Sequence, residues 1–312
     1  MQLGKPNLEI FAETLQQLAQ RDRNILAVTS DSRGSGKLGP FGKALPEQII
    51  EVGIAEQNLV GVSAGLASAG KKVYAVSPAC FLTARSLEQI KNDVAYSDNR
   101  VNLVGISAGV SYGALGSTHH SLHDFAVLQA INNIDIVAPA DNFETRATIE
   151  AALEHPRPIY IRFGKQAMPH VHTRETKFEI GKAITLSEGS DVTFIAIGET
   201  VPRALQASKH LSEQDISAGV LSMHTLKPLD EAAVLAAARR CKALITVEEH
   251  SVYGGLGSTV AMLLMQQQVC LPFKIVGFPD EYTVTGSQNE IFAHYGITGE
   301  GLAETAKKLL GR

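Results

Sequence analysis

Glu56 stands at the head of a run almost free of charge. From Leu59 to Ala69 the chain holds only Gly, Ala, Ser, Val and Leu, which predicts a helix packed on all sides with close backbone approach. A carboxylate entering such packing needs a partner, because burying an ionised acid alone is costly. Glu56 is then held by a hydrogen-bond donor or a positive group, from the protein or from a ligand. The alternative is a solvated first-turn acid favoured by the helix dipole. The second group with chemical potential is Ser117-Thr118-His119-His120, in a loop bearing glycines. An imidazole there can move a proton or hydrogen-bond a substrate, and two adjacent histidines can begin a metal site. No third ligand stands at a suitable spacing, so proton transfer or substrate binding is the better functional reading, against loop histidines without chemistry. His123 and Asp124 are suited to capping the helix that begins there.

Two glycine-rich stretches invite a nucleotide reading and fail it. SRGSGKLGPFGK does not enter a helix as GxxxxGK[ST] would, and it is read as an active-site loop too flexible and polar for the core. VYGGLGSTV lacks the GxGxxG spacing and reads as a tight strand-to-helix turn.

The elements that must position these residues alternate along the chain. An apolar helical period covers 7–20, and strands are expected at NILAVTSD, IIEVG, KKVYAVSP, VNLVGISAG and PIYIRFGK. Helices lie between them, including one over CFLTARSLEQIKNDVAYSD whose packed face is Phe81, Leu87, Ile90 and Val94. This alternation predicts a parallel, doubly wound open sheet with ligands at the carboxyl ends of its strands, where Asp31, Phe81, His119 and Lys165 fall. The period lapses around MPHVHTRETKFEIGKA, and a second βα series follows. The expected organisation is α/β: a first doubly wound domain over 1–168, a linker over 169–185 and a second open-sheet domain over 186–312.

Bulk properties exclude several classes. The chain has 312 residues, 45% of them apolar and 19% charged, and a net charge of −4, without the basic surplus that non-specific nucleic-acid binding needs. Cys80, Cys241 and Cys270 are widely spaced and suggest free thiols in a reducing cytoplasm. The first residues have neither a basic nor an apolar leader pattern and no apolar run reaches bilayer length, so a cytosolic protein is expected.

GIAEQNLVGVSAGLASAGKKVYAVSPACFL, the GSTHH loop and DIVAPADNFETRATIEAALEHPRPIYIRFGK together resemble the pyrimidine-binding domain of thiamine diphosphate enzymes of the transketolase group. The remainder resembles their C-terminal domain, so the likeness covers essentially the whole chain. Deoxyxylulose-phosphate synthases and the β subunits of 2-oxo acid dehydrogenases share this two-domain half and are the near rivals; a non-catalytic subunit that kept the fold is a third. The family's GDG motif, which with a later Asn pair holds Mg²⁺ and the diphosphate, is absent. The chain therefore resembles the C-terminal subunit of a split transketolase. That likeness implies an N-terminal partner subunit, thiamine diphosphate and Mg²⁺ held mainly by that partner, and a dimer of heterodimers.

The resemblance also implies roles. Glu56 would hydrogen-bond the aminopyrimidine and Phe81 would stack on it, with Ile54 and Arg85 as further cofactor contacts. His119 would face the substrate as a hydrogen-bond or proton-transfer group. Lys165, where many members carry Arg, would meet a sugar phosphate as a point charge, with Ser32 as another substrate contact. The reaction implied is transfer of a two-carbon ketol unit from a ketose to an aldose. Leu115 replaces the family's acidic residue that reads a sugar hydroxyl, and Ala84 and Leu87 replace aromatics, so an unusual ketose phosphate or a modified sugar is expected as donor.

Overall fold

The computed structural model describes residues 1–172 and 176–312. Among these, seven strands form the first sheet, ordered across it as Thr225–Lys227, Asp135–Val137, Ile159–Arg162, Val101–Ile106, Lys72–Pro78, Ile25–Thr29 and Ile49–Glu51. Five more form the second, ordered Phe273–Phe278, Ala243–Ser251, Val192–Ala196, Ala218–Ser222 and Ile184–Ser187. The central strands of the first sheet are buried nearly end to end, as apolar runs covered on both faces must be. Helices Asn7–Ala19 and Asn142–Ala152 cover one face through Leu8, Phe11, Leu15 and Ile149. Leu59, Val60, Leu82 and Ile90 pack in a second core, which continues into Leu221 and Leu244 of the second sheet.

The winding agrees with the sequence pattern, but the sheets are mixed. Ile184–Ser187 pairs antiparallel with Ala218–Ser222, and Thr225–Lys227, from the second half of the chain, closes the edge of the first sheet antiparallel to Asp135–Val137. Such a long-range pairing has no local period to betray it. The expected linker falls partly on 173–175, outside the described residues. It is tied down at both ends: Pro169, the last residue of strand Ala167–Pro169, pairs with Leu3, and Gly181 N and Ala183 N donate to Thr225 Oγ1 and Asp230 Oδ2 at 3.0 Å each.

Three local expectations need correction. The helix expected over 80–98 is broken at Ser86 into Ala79–Arg85, a short turn and a π-helical stretch Ile90–Tyr96, a wide-turn form often found beside functional sites. Leu82, Ile90 and Val94 lie in the core, whereas Phe81 is only half-buried. The stretch 32–43 is no free loop, because Leu38 and Phe41 anchor it in the core and Gly39–Ala44 is helical. Finally, helix Glu56–Ser68 buries Glu56, Leu59, Val60, Ser63 and Ala64, whereas Gln57, Asn58 and Gly65 lie open on its other side.

Candidate functional site

Glu51, at the end of its strand, accepts hydrogen bonds from Asp31 N at 2.7 Å, Thr29 Oγ1 at 2.8 Å and Gly53 N at 3.0 Å. It thereby fixes the turn from which the Glu56 helix starts. Glu56 itself is 4% exposed, and Arg85 Nη1 donates to both of its oxygens at 3.1 Å. The need for a partner, evident from the sequence, is met by a guanidinium that is itself half-exposed.

From this pair a continuous strip of side chains runs across the strand ends. Arg85 Cζ lies 4.4 Å from the centroid of the Phe81 ring. The His119 ring meets Phe81 edge-on at 5.4 Å and Tyr112 edge-on at 5.4 Å. Lys165 Nζ stands 4.6 Å from the Tyr112 centroid, and Thr118 Oγ1 is 3.0 Å from His119 Nδ1. The acid, the aromatic face, the imidazole and the cation thus share one surface, although they come from four separate strand ends. Leu115, 54% exposed, belongs to the same loop as His119.

Other residues fall elsewhere. Ile54 is 74% exposed in the turn before Glu56. Ser32 does not join the strip: it is buried, and its hydroxyl donates to Val76 O at 2.8 Å. His120 turns inward, away from His119, with Nε2 donating to Gly113 O at 2.9 Å and Nδ1 at 2.6 Å from Thr283 Oγ1. Burial pushes its pKa below the ordinary histidine value. Among the described residues no group of three or more His, Cys, Asp and Glu could hold a metal.

His123 and Asp124 do not cap with their side chains. His123 Nε2 lies 3.3 Å from Thr83 Oγ1, and Asp124 is buried within an ion pair. Arg162 Nη1 donates to Asp124 Oδ1 at 2.8 Å, Tyr160 OH donates to Oδ2 at 2.7 Å, and Arg162 Nη2 donates to Glu249 O at 2.9 Å. Glu249 and Glu199 hold the backbone on either side: Val110 N donates to Glu249 Oε1 at 2.8 Å and Gly164 N to Glu199 Oε1 at 2.9 Å. Burial, then the charge of Glu249, raises Glu199 to about 8. Sequence reasoning missed this buried network, because nothing local marks a glutamate inside ALITVEE as the support of a distant loop. It also passed over Tyr112, an aromatic in a glycine-rich loop, which was a usable signal.

Known proteins are similar to this chain in sequence and in fold. Residues 6–171 match the family described as transketolase, pyrimidine binding domain, and residues 181–302 match transketolase, C-terminal domain. The chain is 51% identical over 297 residues to the B-type subunit of the apulose-4-phosphate transketolase of Phocaeicola vulgatus, covering 95% of each chain. It is 34% identical to a 6-deoxy-6-sulfo-D-fructose transketolase subunit of a Clostridium species, covering 97% of this chain and 94% of that one. A solved structure described as a split gene transketolase, inactive beta4 tetramer, superposes with a TM-score of 0.88 at 35% identity, over 99% of both chains.

Proposed function

This chain belongs to the transketolase family as a B-type subunit of its split form, and on that premise we propose that with an A-type subunit it moves a two-carbon ketol unit from apulose 4-phosphate to an aldehyde acceptor. The choice of donor rests on the 51% identity to the Phocaeicola vulgatus protein. The observation that carries the reading is the strip joining Glu56, Phe81, His119 and Lys165.

Whether the pyrimidine of thiamine diphosphate suits this site can be judged from what Arg85 does. A flat, nitrogen-bearing cation already lies against Phe81 and donates to both oxygens of Glu56. An aminopyrimidine has the same two needs, an aromatic face and a carboxylate. Arg85 serves both oxygens through one nitrogen and is half-exposed, so it can retreat to one oxygen or to solvent and free the other. Thiamine diphosphate, when bound, supplies the nucleophilic carbon that breaks a carbon–carbon bond beside a ketone.

The chain's own residues bind, orient and carry protons. Glu56 holds or passes a proton at a carboxylate oxygen shielded from water, where such an interaction is stronger than in solvent. Phe81 offers apolar burial and a ring face. His119, with Nδ1 engaged by Thr118, is left with Nε2 to hydrogen-bond a donor oxygen. Lys165 neutralises the donor's phosphate, and Leu115 offers an apolar surface where an acid would read a hydroxyl. Diphosphate and Mg²⁺ are assigned to the partner because the sequence lacks the GDG motif. The working assembly is a dimer of heterodimers.

The test mixes the chain with its GDG-bearing partner, thiamine diphosphate and Mg²⁺, and follows consumption of apulose 4-phosphate with an aldehyde acceptor. Turnover by the mixture and not by either chain alone is expected. Release of CO₂ from pyruvate without ketol transfer would overturn the proposal in favour of a decarboxylating enzyme.

A further inference from the structure

The stretch 109–122 carries Tyr112, Leu115 and His119, yet much of what fixes it comes from the second half of the chain. Near its start Val110 N donates to Glu249 Oε1 at 2.8 Å, and at its end Ser251 N donates to Leu122 O at 3.1 Å. Between these ends lies a relay through His120. Its Nε2 faces the Gly113 carbonyl, which can only accept, so Nε2 carries the proton and Nδ1 of the neutral ring accepts from the Thr283 hydroxyl. Thr283 Oγ1 then accepts from Ser117 Oγ at 3.1 Å. Gly113 has φ +53°, and a Cβ there would lie 2.6 Å from Gly286 O, so the loop sits directly on the segment that holds Thr283. That segment follows strand Phe273–Phe278 of the second sheet.

We infer that Thr283 is a positioning residue for ketol transfer, setting the placement of His119 and Leu115 over the cleft through Ser117, His120 and Gly113. Its hydroxyl must donate to one side chain and accept from another at once, which Ser can also do and Val cannot. Removing it leaves a buried imidazole nitrogen unpaired, and a small displacement of a substrate-contacting group is expensive in rate. The second half of the chain then acts as a splint for a loop it does not contain. This inference rests on the ketol-transfer reading, and its test separates the two.

Thr283→Val and Thr283→Ser are prepared and reconstituted with the partner subunit. Thr283→Val is expected to lower kcat/KM for apulose 4-phosphate by roughly ten-fold or more, the cost of a lost buried hydrogen bond. Half-saturation by thiamine diphosphate should stay unchanged, since Glu56 and Phe81 stand on other elements, and Thr283→Ser should restore kcat/KM. In the chain alone, amide hydrogen exchange over 113–120 should quicken in Thr283→Val while that over 59–68 does not change. Exchange needs no substrate, so a wild-type complex inactive on every ketose would refute the proposed function and leave the exchange result to judge the relay. Unchanged exchange, unchanged kcat/KM, an equal loss of cofactor affinity, or failure of Thr283→Ser to restore kcat/KM would each overturn the inference.

Discussion

A carboxylate that must be buried and yet remain available to a ligand needs a partner that can let go. Arg85 fits that requirement: one of its nitrogens spans both oxygens of Glu56 while the side chain stays half in water. Arg85→Met is therefore expected to destabilise the cofactor-free chain by about 1–3 kcal/mol, the cost of leaving a buried acceptor unpaired. Urea unfolding measures this, and the deficit should shrink in the assembled, cofactor-loaded complex. On the proposed function, Leu115 is the residue expected to set the choice of donor. Leu115→Asp restores an acceptor for a sugar hydroxyl, so kcat/KM should shift by at least ten-fold toward donors with a hydroxyl there and away from apulose 4-phosphate. Competition between the two donors reads that ratio. Glu56 was legible in the sequence because a lone acid beside eleven small or aliphatic residues is a physical conflict that needs resolving. Ser32 was not, because nothing in a glycine-rich stretch tells a hydroxyl facing a ligand from one tied to a carbonyl of a distant strand, as Ser32 is to Val76 O.

Strands and helices of the first sheet could be read from their apolar runs, and so could the placing of the candidate site residues at strand ends. The broken helix could not. A single period drawn through Phe81, Leu87, Ile90 and Val94 assumes uniform winding, whereas the chain breaks at Ser86 and winds as a π-helix over Ile90–Tyr96. The loop-bearing elements are tied together behind the cleft by Arg162, which leaves strand Ile159–Arg162 for Asp124 at the head of the next-layer helix and for the Glu249 carbonyl. Arg162→Met leaves Asp124 buried with Tyr160 as its remaining strong donor. It is expected to cost about 3–5 kcal/mol, as breaking one side of a buried ion pair does, and denaturant unfolding with an unchanged m-value would confirm it. An edge strand contributed by Thr225–Lys227 and the relay through Thr283 were equally hidden, since both depend on partners far along the chain.

The two halves meet over buried carboxyls, and this gives the molecule a pH dependence with a definite sign. Burial raises Glu248 to about 7, and burial with the charge of Glu249 raises Glu199 to about 8. A carboxyl raised in the folded state contributes stability below its unfolded value near 4.5 and loses it as pH climbs through the folded value. His172, raised overall because Glu144 more than offsets its burial, loses its contribution in the same direction above 6.5. His250, pushed to about 4 by burial, opposes them only as pH falls below 6.5. The melting temperature should thus fall from pH 6.5 to 8.5, and Glu199→Gln, which keeps an acceptor for Gly164 N, should flatten that fall. No described helix is long and apolar enough to cross a membrane. The proposed function depends on Glu56 serving as the proton-carrying acid of a two-subunit enzyme. Its most direct test is Glu56→Gln, assembled with the partner, thiamine diphosphate and Mg²⁺, with ketol transfer and complex size measured together. Turnover should fall by roughly 10²–10⁴-fold in a complex of unchanged size; wild-type turnover in that variant would exclude Glu56 from this role.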